Sequence, residues 1–365
     1  MRTIRWLVIV LACAATPAFS FQHFYGYLHS HTGYSDGEPG SVPFDAYVYA
    51  WNFGLDFLAV TDHNYMLTIA EYREGLRQAA DSSVQGEFAA IYGMEWGRIA
   101  NGGHLVLLDV PALLGWDPYE YEIHTPLDQY LNLYLTLAEI SEPGQALALM
   151  AHPQIGDYED YAYRAIDGDD VVQLLSVVNG PASLNATDMS GEGAVYQARY
   201  FDTLAQGWHL APTADQDNHE PNWGASSQGR TVILAEELTP RSILEALSLR
   251  RCYATMDHNL KLEFSINDWW TYGERVFQSG DLRIYALVED GDGEPVRDLE
   301  IYTGRSGSGN PPQVCLSASG TGIIDATFSP PPGENYYFVK VTQEDGHKAW
   351  SAPVWVINNQ SCPNL

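Results

Sequence analysis

Between Tyr25 and Asn64 the chain reads YGYLHSHTGYSDGEPGSVPFDAYVYAWNFGLDFLAVTDHN. His29 and His31 stand two apart, Asp36 lies within Ser-Asp-Gly, and His63 closes Thr-Asp-His-Asn at the end of an apolar run. On a strand, side chains two apart point to the same side, so this pair of imidazoles can converge on one ion. Asp36 can return over them from the glycine-rich turn, and His63 can join from the end of the next strand. Imidazoles with a carboxylate and no cysteine suit zinc, manganese or iron better than a closed thiolate site.

These two motifs, HSHT with SDG and then TDHN, resemble the opening motifs of the PHP (polymerase and histidinol phosphatase) metallohydrolases, most of all the secreted CehA/McbA-like branch. Further landmarks follow in the order the resemblance implies. Glu95, in Gly93-Met-Glu-Trp-Gly97, stands where the family places a strand-end glutamate, often bridging two metals. His104 opens the apolar run after Gly102-Gly103, and His152 stands in Met-Ala-His-Pro, with Pro153 biasing it away from the α region. The last motif, Thr213 to His219, should hold an acid and a histidine two apart. Asp217 with His219 meets that spacing, while Asp215 is a competing acid left supporting the strand end. Asp62, adjacent to His63, should face the other way and support or cap rather than ligate.

The resemblance spans roughly Phe24 to Thr255. It implies a distorted (β/α)7 barrel holding two or three divalent metal ions (zinc, manganese or iron). The implied ligands are His29, His31, Asp36, His63, Glu95, His104, His152, Asp217 and His219. The chain departs from the pattern at Tyr27, where relatives often carry an acid.

Clustered cations would lower the pKa of a bound water, polarise the scissile group and hold substrate in line. His152 or His219 could give a proton to the leaving group. Arg230 is a candidate for a substrate anion, against a plain salt bridge. Trp96, Tyr65 and Trp223 flank the motifs as pocket candidates, against ordinary core packing. The expected substrate is a small-molecule ester. Phosphoesters are the commonest in the superfamily, and carbamate or carboxylic esters are the alternative in the CehA/McbA branch. A different class of reading is a non-catalytic metal- or glycan-binding surface protein. His23, His124, His209, His258 and His347 receive no chemical role.

These residues need elements to place them. Apolar runs predict strands at 25–31, 56–62, 88–95, 104–110, 146–151, 171–178, 210–214 and 231–235. Helical patterns between them (43–51, 67–80, 126–140, 194–206, 240–251) complete β/α units, with the chemical residues at or just past strand ends. Thr239 and Pro240 make an orthodox helix start. After Thr255 the pattern changes to short alternating strands at 262–266, 282–288, 300–303, 323–328, 336–342 and 349–356. That predicts an all-β immunoglobulin-like sandwich, with glycan contact as its candidate role. The expected division is a signal peptide (1–20), a hydrolase barrel (21–257) and the sandwich (258–365).

Arg2 and Arg5, an apolar run from Trp6 to Ala15 and Ala18-Phe-Ser20 form a secretory signal, implying a secreted or periplasmic protein. A lipoprotein signal at Cys13 is the lesser alternative. The apolar run is too short to span a bilayer, and no later stretch qualifies as transmembrane. The 365 residues include 47 acidic and 18 basic ones. Such a balance argues against duplex nucleic acid or anionic membrane as partners. Beyond the signal there are three cysteines, none in metal-ligand spacing, with Cys315 to Cys362 favoured as a bridge and Cys252 as a buried thiol.

Overall fold

The computed structural model describes residues 21–140, 147–164 and 168–359. The signal peptide, Cys13 and Cys362, and with it the proposed bridge to Cys315, lie outside the described residues. The protein is mixed α/β, with more strand than helix. In order come β1 (Gln22–Tyr27), α1 (Pro43–Phe53), β2 (Phe57–Val60), α2 (Ile69–Ser82), β3 (Ala89–Arg98) and β4 (Gly103–Leu108). A small pair, β5 (Leu114–Gly115) and β6 (Ile123–His124), precedes α3 (Tyr130–Ile140) and β7 (Leu147–Ala151). Then follow the short turns α4 (Asp157–Tyr161) and α5 (Asp169–Val171), β8 (Val172–Asn179), β9 (Ala194–Val195) and α6 (Gln197–Gln206). After them come β10 (Ala211–Asp215), β11 (Arg230–Ala235), α7 (Pro240–Ser248) and β12 (Cys252–Thr255).

Local chemistry sets the helix ends. Pro43 starts α1, and Gly54 ends it at φ 100°, its N–H reaching the Ala50 and Trp51 carbonyls. Thr68 caps α2 reciprocally with Glu71: Glu71 N–H donates to Thr68 Oγ1 (3.2 Å), and Thr68 N–H donates to Glu71 Oε2 (2.9 Å). Thr239 accepts from Ser242 N–H at 3.2 Å, with Pro240 beside it, as the sequence predicts.

The strand order β10-β8-β7-β4-β3-β2-β1-β11 decides where the chemistry falls. Pairs β1–β2, β2–β3, β7–β8 and β8–β10 are parallel, whereas β4 and β11 run against their neighbours. Six strands therefore end on one rim, and β4 and β11 begin on it. This departs from an all-parallel arrangement for a simple reason. Only Ile99–Gly102 joins β3 to β4, and a parallel crossover needs a dozen residues or more. At the two ends of this run, β10 and β11 meet through a side chain: Thr231 Oγ1 accepts from Ala214 N–H and donates to its carbonyl, both at 3.0 Å.

The C-terminal third contains β13 (Lys261–Ile266), β14 (Arg275–Phe277), β15 (Leu282–Glu289), β16 (Val296–Arg305), β17 (Gln313–Ser319) and β18 (Ile323–Phe328). It ends with β19 (Gly333–Gln343), β20 (Lys348–Ser351) and β21 (Val354–Asn358). Ala352-Pro353 splits what the sequence suggests as one strand at 349–356. Strands β14 and β17 were not expected, because β17 is largely exposed and lacks an apolar rhythm. A three-stranded sheet, β13-β15-β18, buries Leu262, Phe264 and Ile284 against Ile301, Val339 and Val341 of the other layer. That other layer is not separate from the N-terminal sheet. Strand β12 pairs antiparallel with β20, Tyr253 opposite Ser351, so one sheet runs across the expected boundary at residue 257.

His209 is a second tie between these regions. Its Nδ1 bonds the Asp169 carboxylate, its Nε2 lies 3.3 Å from Glu334 Oε1, and its ring meets Trp355 edge-on at 4.8 Å. Arg250 donates to the carbonyls of His209 and Asp169, and Arg275 Nε donates to Glu334 at 2.6 Å. Burial disfavours the charged imidazole, but Asp169 and Glu334 outweigh it and raise the His209 pKa. Burial also opposes the Asp169 carboxylate, yet its bond to His209 pulls its pKa down, and His209 with Arg275 does the same for Glu334.

The His209 contribution is therefore full below the unfolded histidine pKa of about 6.5 and fades as pH rises through the raised folded value. The carboxylate contributions run the other way, present above about pH 4 and lost as pH falls. Thermal unfolding of His209→Gln should show a loss of about 1–3 kcal/mol at pH 6 that narrows toward pH 9. A deficit equal at both pH values would show that the imidazolium charge is not what holds this junction.

Candidate metal centre

The nine candidate ligands arise from separate elements that meet at the shared rim. His29 and His31 lie just past β1 rather than on it, yet sheet-like bonding continues through them. Ser30 bridges Asn218 in parallel fashion, His31 N–H donates to the Asn218 carbonyl (2.8 Å), and Thr61 N–H donates to the Ser30 carbonyl (2.8 Å). His63 is likewise bridged to Glu95, with Asn64 N–H on the Glu95 carbonyl at 3.0 Å. His104 begins β4, and the antiparallel run of that strand is what brings it to the rim, opposite Gly97 and Ala151. His152 follows β7. Asp217 and His219 follow β10.

Glu95 is the hub. It is 1% exposed, and its two oxygens face different histidines. Oε1 lies 2.6 Å from His104 Nδ1, 3.0 Å from His152 Nε2 and 3.3 Å from His29 Nε2. Oε2 lies 2.9 Å from His63 Nδ1 and 3.4 Å from His31 Nε2. Asp217 Oδ1 stands 3.0 Å from His31 Nε2 and 3.3 Å from His29 Nε2. Asp36, on the outer side, reaches His63 Nε2 (3.4 Å), His219 Nε2 (3.3 Å) and His31 Nδ1 (3.7 Å). Three overlapping sets emerge with ligand atoms mutually within 4.8 Å: His31, Asp36, His63 and His219; His29, His31, Glu95 and Asp217; His63, Glu95 and His104. His152 joins them through Glu95.

The donor set fits divalent cations. His29 Nδ1, His63 Nδ1, Glu95 Oε2 and both nitrogens of His104 are buried with no hydrogen-bond partner, though several lie close together. Buried polar atoms are normally satisfied. Of these, His63 Nδ1, His104 Nδ1 and the Glu95 carboxylate face one another, and a bound cation would complete them. The electrostatics agree. Burial opposes charge on His29, but Asp217 and Glu95 outweigh it and carry its pKa up to about 9. His63 is likewise driven up to about 11 by Asp36 and Glu95, against burial. Burial opposes the Glu95 carboxylate, yet the surrounding imidazoles hold its pKa well below the carboxylate range. The carboxylates thus draw positive charge into the basin, and divalent ions meet that demand while leaving imidazole lone pairs free to ligate.

Supporting contacts orient this set. Asp62 turns away from the centre, as expected, and holds the loop carrying Asp36. Its Oδ1 accepts from Thr32 N–H and Ser35 Oγ, both at 2.7 Å, and its Oδ2 accepts from Thr32 Oγ1 at 2.9 Å. Asp215 lies outside the cluster and accepts from Leu28 N–H at 2.7 Å, anchoring the residue before His29. His219 Nδ1 donates to the Asp217 carbonyl at 2.7 Å, which turns its Nε2 toward the centre. His152 and Asp217 both have positive φ, 32° and 53°. For non-glycine residues this is backbone strain, of about 1–3 kcal/mol each, held at the site.

Not every expected residue arrives. Arg230 is 3% exposed, stacks 5.0 Å from the Tyr27 ring centroid and bonds the carbonyls of Ser227 and Gly229. It borders a different cavity beside His258, because β11 directs it behind Tyr27. Trp96 and Trp223 are core residues, their indole N–H groups bonded to Thr125 Oγ1 (2.9 Å) and the His31 carbonyl (3.0 Å). Tyr65 does line the basin, a cavity of about 610 Å³. Arg98, Gln154, Asn179 and Tyr196 line it too, and the sequence reading passed over them. Asn179 and Gln154 carry no motif. Arg98 stands three residues after Glu95, a spacing that puts it on the opposite face of a regular strand, and the positive φ of Gly97 (112°) interrupts that alternation.

No family model matches the chain. An uncharacterized protein of Chlamydia pneumoniae is 30% identical over 150 residues, which cover 36% of this chain and 23% of that protein. The chain thus spans less than a quarter of that relative's length. Among solved structures, a two-domain protein containing a predicted PHP-like metal-dependent phosphoesterase, from Bacteroides vulgatus, overlays with a TM-score of 0.47 at 15% identity. The overlay covers 92% of this chain and 96% of that one. The fibronectin(III)-like modules of Clostridium thermocellum CbhA match 28% of this chain and all of theirs, at 13% identity and a TM-score of 0.22.

Asp62→Asn tests the loop support. An amide cannot accept on both sides as the carboxylate does, so the loop bearing Asp36 should loosen. We expect metal affinity, measured by calorimetric titration, to fall about tenfold with the fold retained by circular dichroism. Unchanged affinity would show that this support does not matter to the site.

Proposed function

We propose that the protein is an exported, multinuclear metal-dependent hydrolase of the PHP type acting on small phosphoesters. The observation that carries this reading is Glu95, a buried carboxylate whose two oxygens face separate groups of histidines. One carboxylate can bind two ions in this way, and the flanking imidazoles, Asp36 and Asp217 complete the ligands around it. Nitrogen and oxygen donors without cysteine favour zinc, manganese or iron. Export rests on the leader sequence, and the two regions are read as a distorted (β/α)7 barrel followed by an immunoglobulin-like sandwich. No helix among the described residues is long and apolar enough to cross a membrane.

Cations bound here would supply Lewis acidity toward a phosphoryl oxygen and lower the pKa of a bound water. The chain's own residues do the rest. Glu95, Asp217 and Asp36 fix spacing, because each touches at least two imidazoles. His219 is held by its Nδ1 on a backbone carbonyl and turns Nε2 to the cavity; that nitrogen either ligates or, when protonated, passes a proton to a leaving group, and ligation competes with the second role. His152 borders the same cavity and is the alternative donor.

The test counts metals in the purified protein and follows hydrolysis of p-nitrophenyl phosphate, its bis-ester and an aryl carbamate. We expect two or three metals per chain, turnover of a phosphoester lost on chelation and restored by metal, and a loss of about 100-fold or more in Glu95→Gln. Hydrolysis of the carbamate alone would replace the phosphoester assignment with the carbamate one. A protein that takes up no divalent metal would overturn the hydrolase reading.

A further inference from the structure

Arg98 ends β3 and is the only lysine or arginine among the described residues that lines the 610 Å³ cavity. Its guanidinium lies 4.9 Å from the ring centroid of Tyr65 and 5.5 Å from that of Trp116. Stacking of this kind holds the plane of the group while leaving its edge of N–H donors available. No carboxylate among the described residues forms an ion pair with it. Its N–H edge is therefore not committed to an acid of the chain, unlike those of Arg73, Arg77 and Arg283. The wall beneath it is continuous with the metal centre: the His63 ring stacks on Tyr65 at 5.0 Å, and Tyr65 meets Trp116 at 6.4 Å. Arg98 lies three residue steps along β3 from Glu95, a backbone span on the order of 10 Å. A single flat ring with an ester at one end and an anion at the other is of that length.

We infer that Arg98 is a specificity-determining residue that binds a second anionic group of the substrate, the part between lying on the Tyr65–Trp116 wall. The preferred substrates are then small phosphoesters whose non-reacting portion is a flat ring bearing a carboxylate or another anionic oxygen pair. This rests on the phosphoester reading, and it adds what that reading lacks: a reason for choosing among esters. Bidentate pairing between a guanidinium and a carboxylate is strong and directional, and a stacked arginine loses little freedom in making it.

Binding separates this inference from catalysis. Benzylphosphonate and 4-carboxybenzylphosphonate, neither of which can be hydrolysed as an ester, are titrated calorimetrically into the metal-loaded protein. The wild type should bind the carboxylated compound about tenfold more tightly. In Arg98→Gln that ratio should collapse toward one with the metal count retained, and Arg98→Lys should recover part of it. On 4-carboxyphenyl phosphate, Arg98→Gln should raise KM more than it lowers kcat. Equal binding of both phosphonates by the wild type, or a ratio that survives in Arg98→Gln, overturns the role given to Arg98 alone. Failure of either phosphonate to bind the metal-loaded wild type overturns the phosphoester reading together with it.

Discussion

A carboxylate buried as deeply as Glu95 costs several kcal/mol unless positive charge comes with it. The structure surrounds it not with lysine or arginine but with five imidazoles, supplied by four stretches of chain. That demand for cations at one point governs the rest of the rim. His29 and His31, His63, His104 and His152 can meet at Glu95 only if their strands reach the same edge. Parallel pairing does this for strand ends, and the reversal of β4 does it for a strand beginning. Acidity elsewhere on the chain suits solubility, but acidity here is structural, because the site holds together around charge it must import.

The same economy explains the residues that stand behind the ligands. Asp62 faces away from the centre and spends its oxygens on Thr32 and Ser35. Asp215 spends one on Leu28 N–H. Neither touches the cluster, yet each fixes a backbone segment that bears a ligand. Strain at His152 and Asp217 is tolerable for the same reason: neighbouring bonds leave those segments little else to do. The aromatic wall from His63 through Tyr65 to Arg98 then extends the rim outward into a binding surface, and it owes its position to β3 carrying both Glu95 and Arg98.

The C-terminal third is tied to this frame by backbone and by charge. Strand β20 extends the sheet from β12, and His209 joins Asp169 to Glu334 across the two regions. Packing of Trp355 on His209 adds an apolar contact at the same point. These ties lie away from the cavity, which suits a structural part in steadying β10 and β12 beneath the ligand-bearing loops.

Much of the centre was legible from residue types and spacing, because ligands must be histidines or carboxylates and strand ends announce themselves by apolar runs. The nine candidates come together around Glu95, and the helix start at Thr239 follows from a side chain that reaches only a few residues. What one-dimensional pattern cannot hold is direction. It could not show that β4 runs backward, which follows from a four-residue connection too short for a crossover. Nor could it show that Arg230 turns behind Tyr27 while Arg98 turns into the cavity. Asp215 and Asp217 carry the same group two residues apart, and only the left-handed backbone at Asp217 separates a ligand position from a strand anchor. The exposed strand β17 and the sheet shared across residue 257 were hidden as well, since pairing there is made by backbone groups that every residue possesses. Sequence determined which chemistry was available, and tertiary structure decided which side chains face it, because facing depends on strand direction and backbone conformation rather than on residue type.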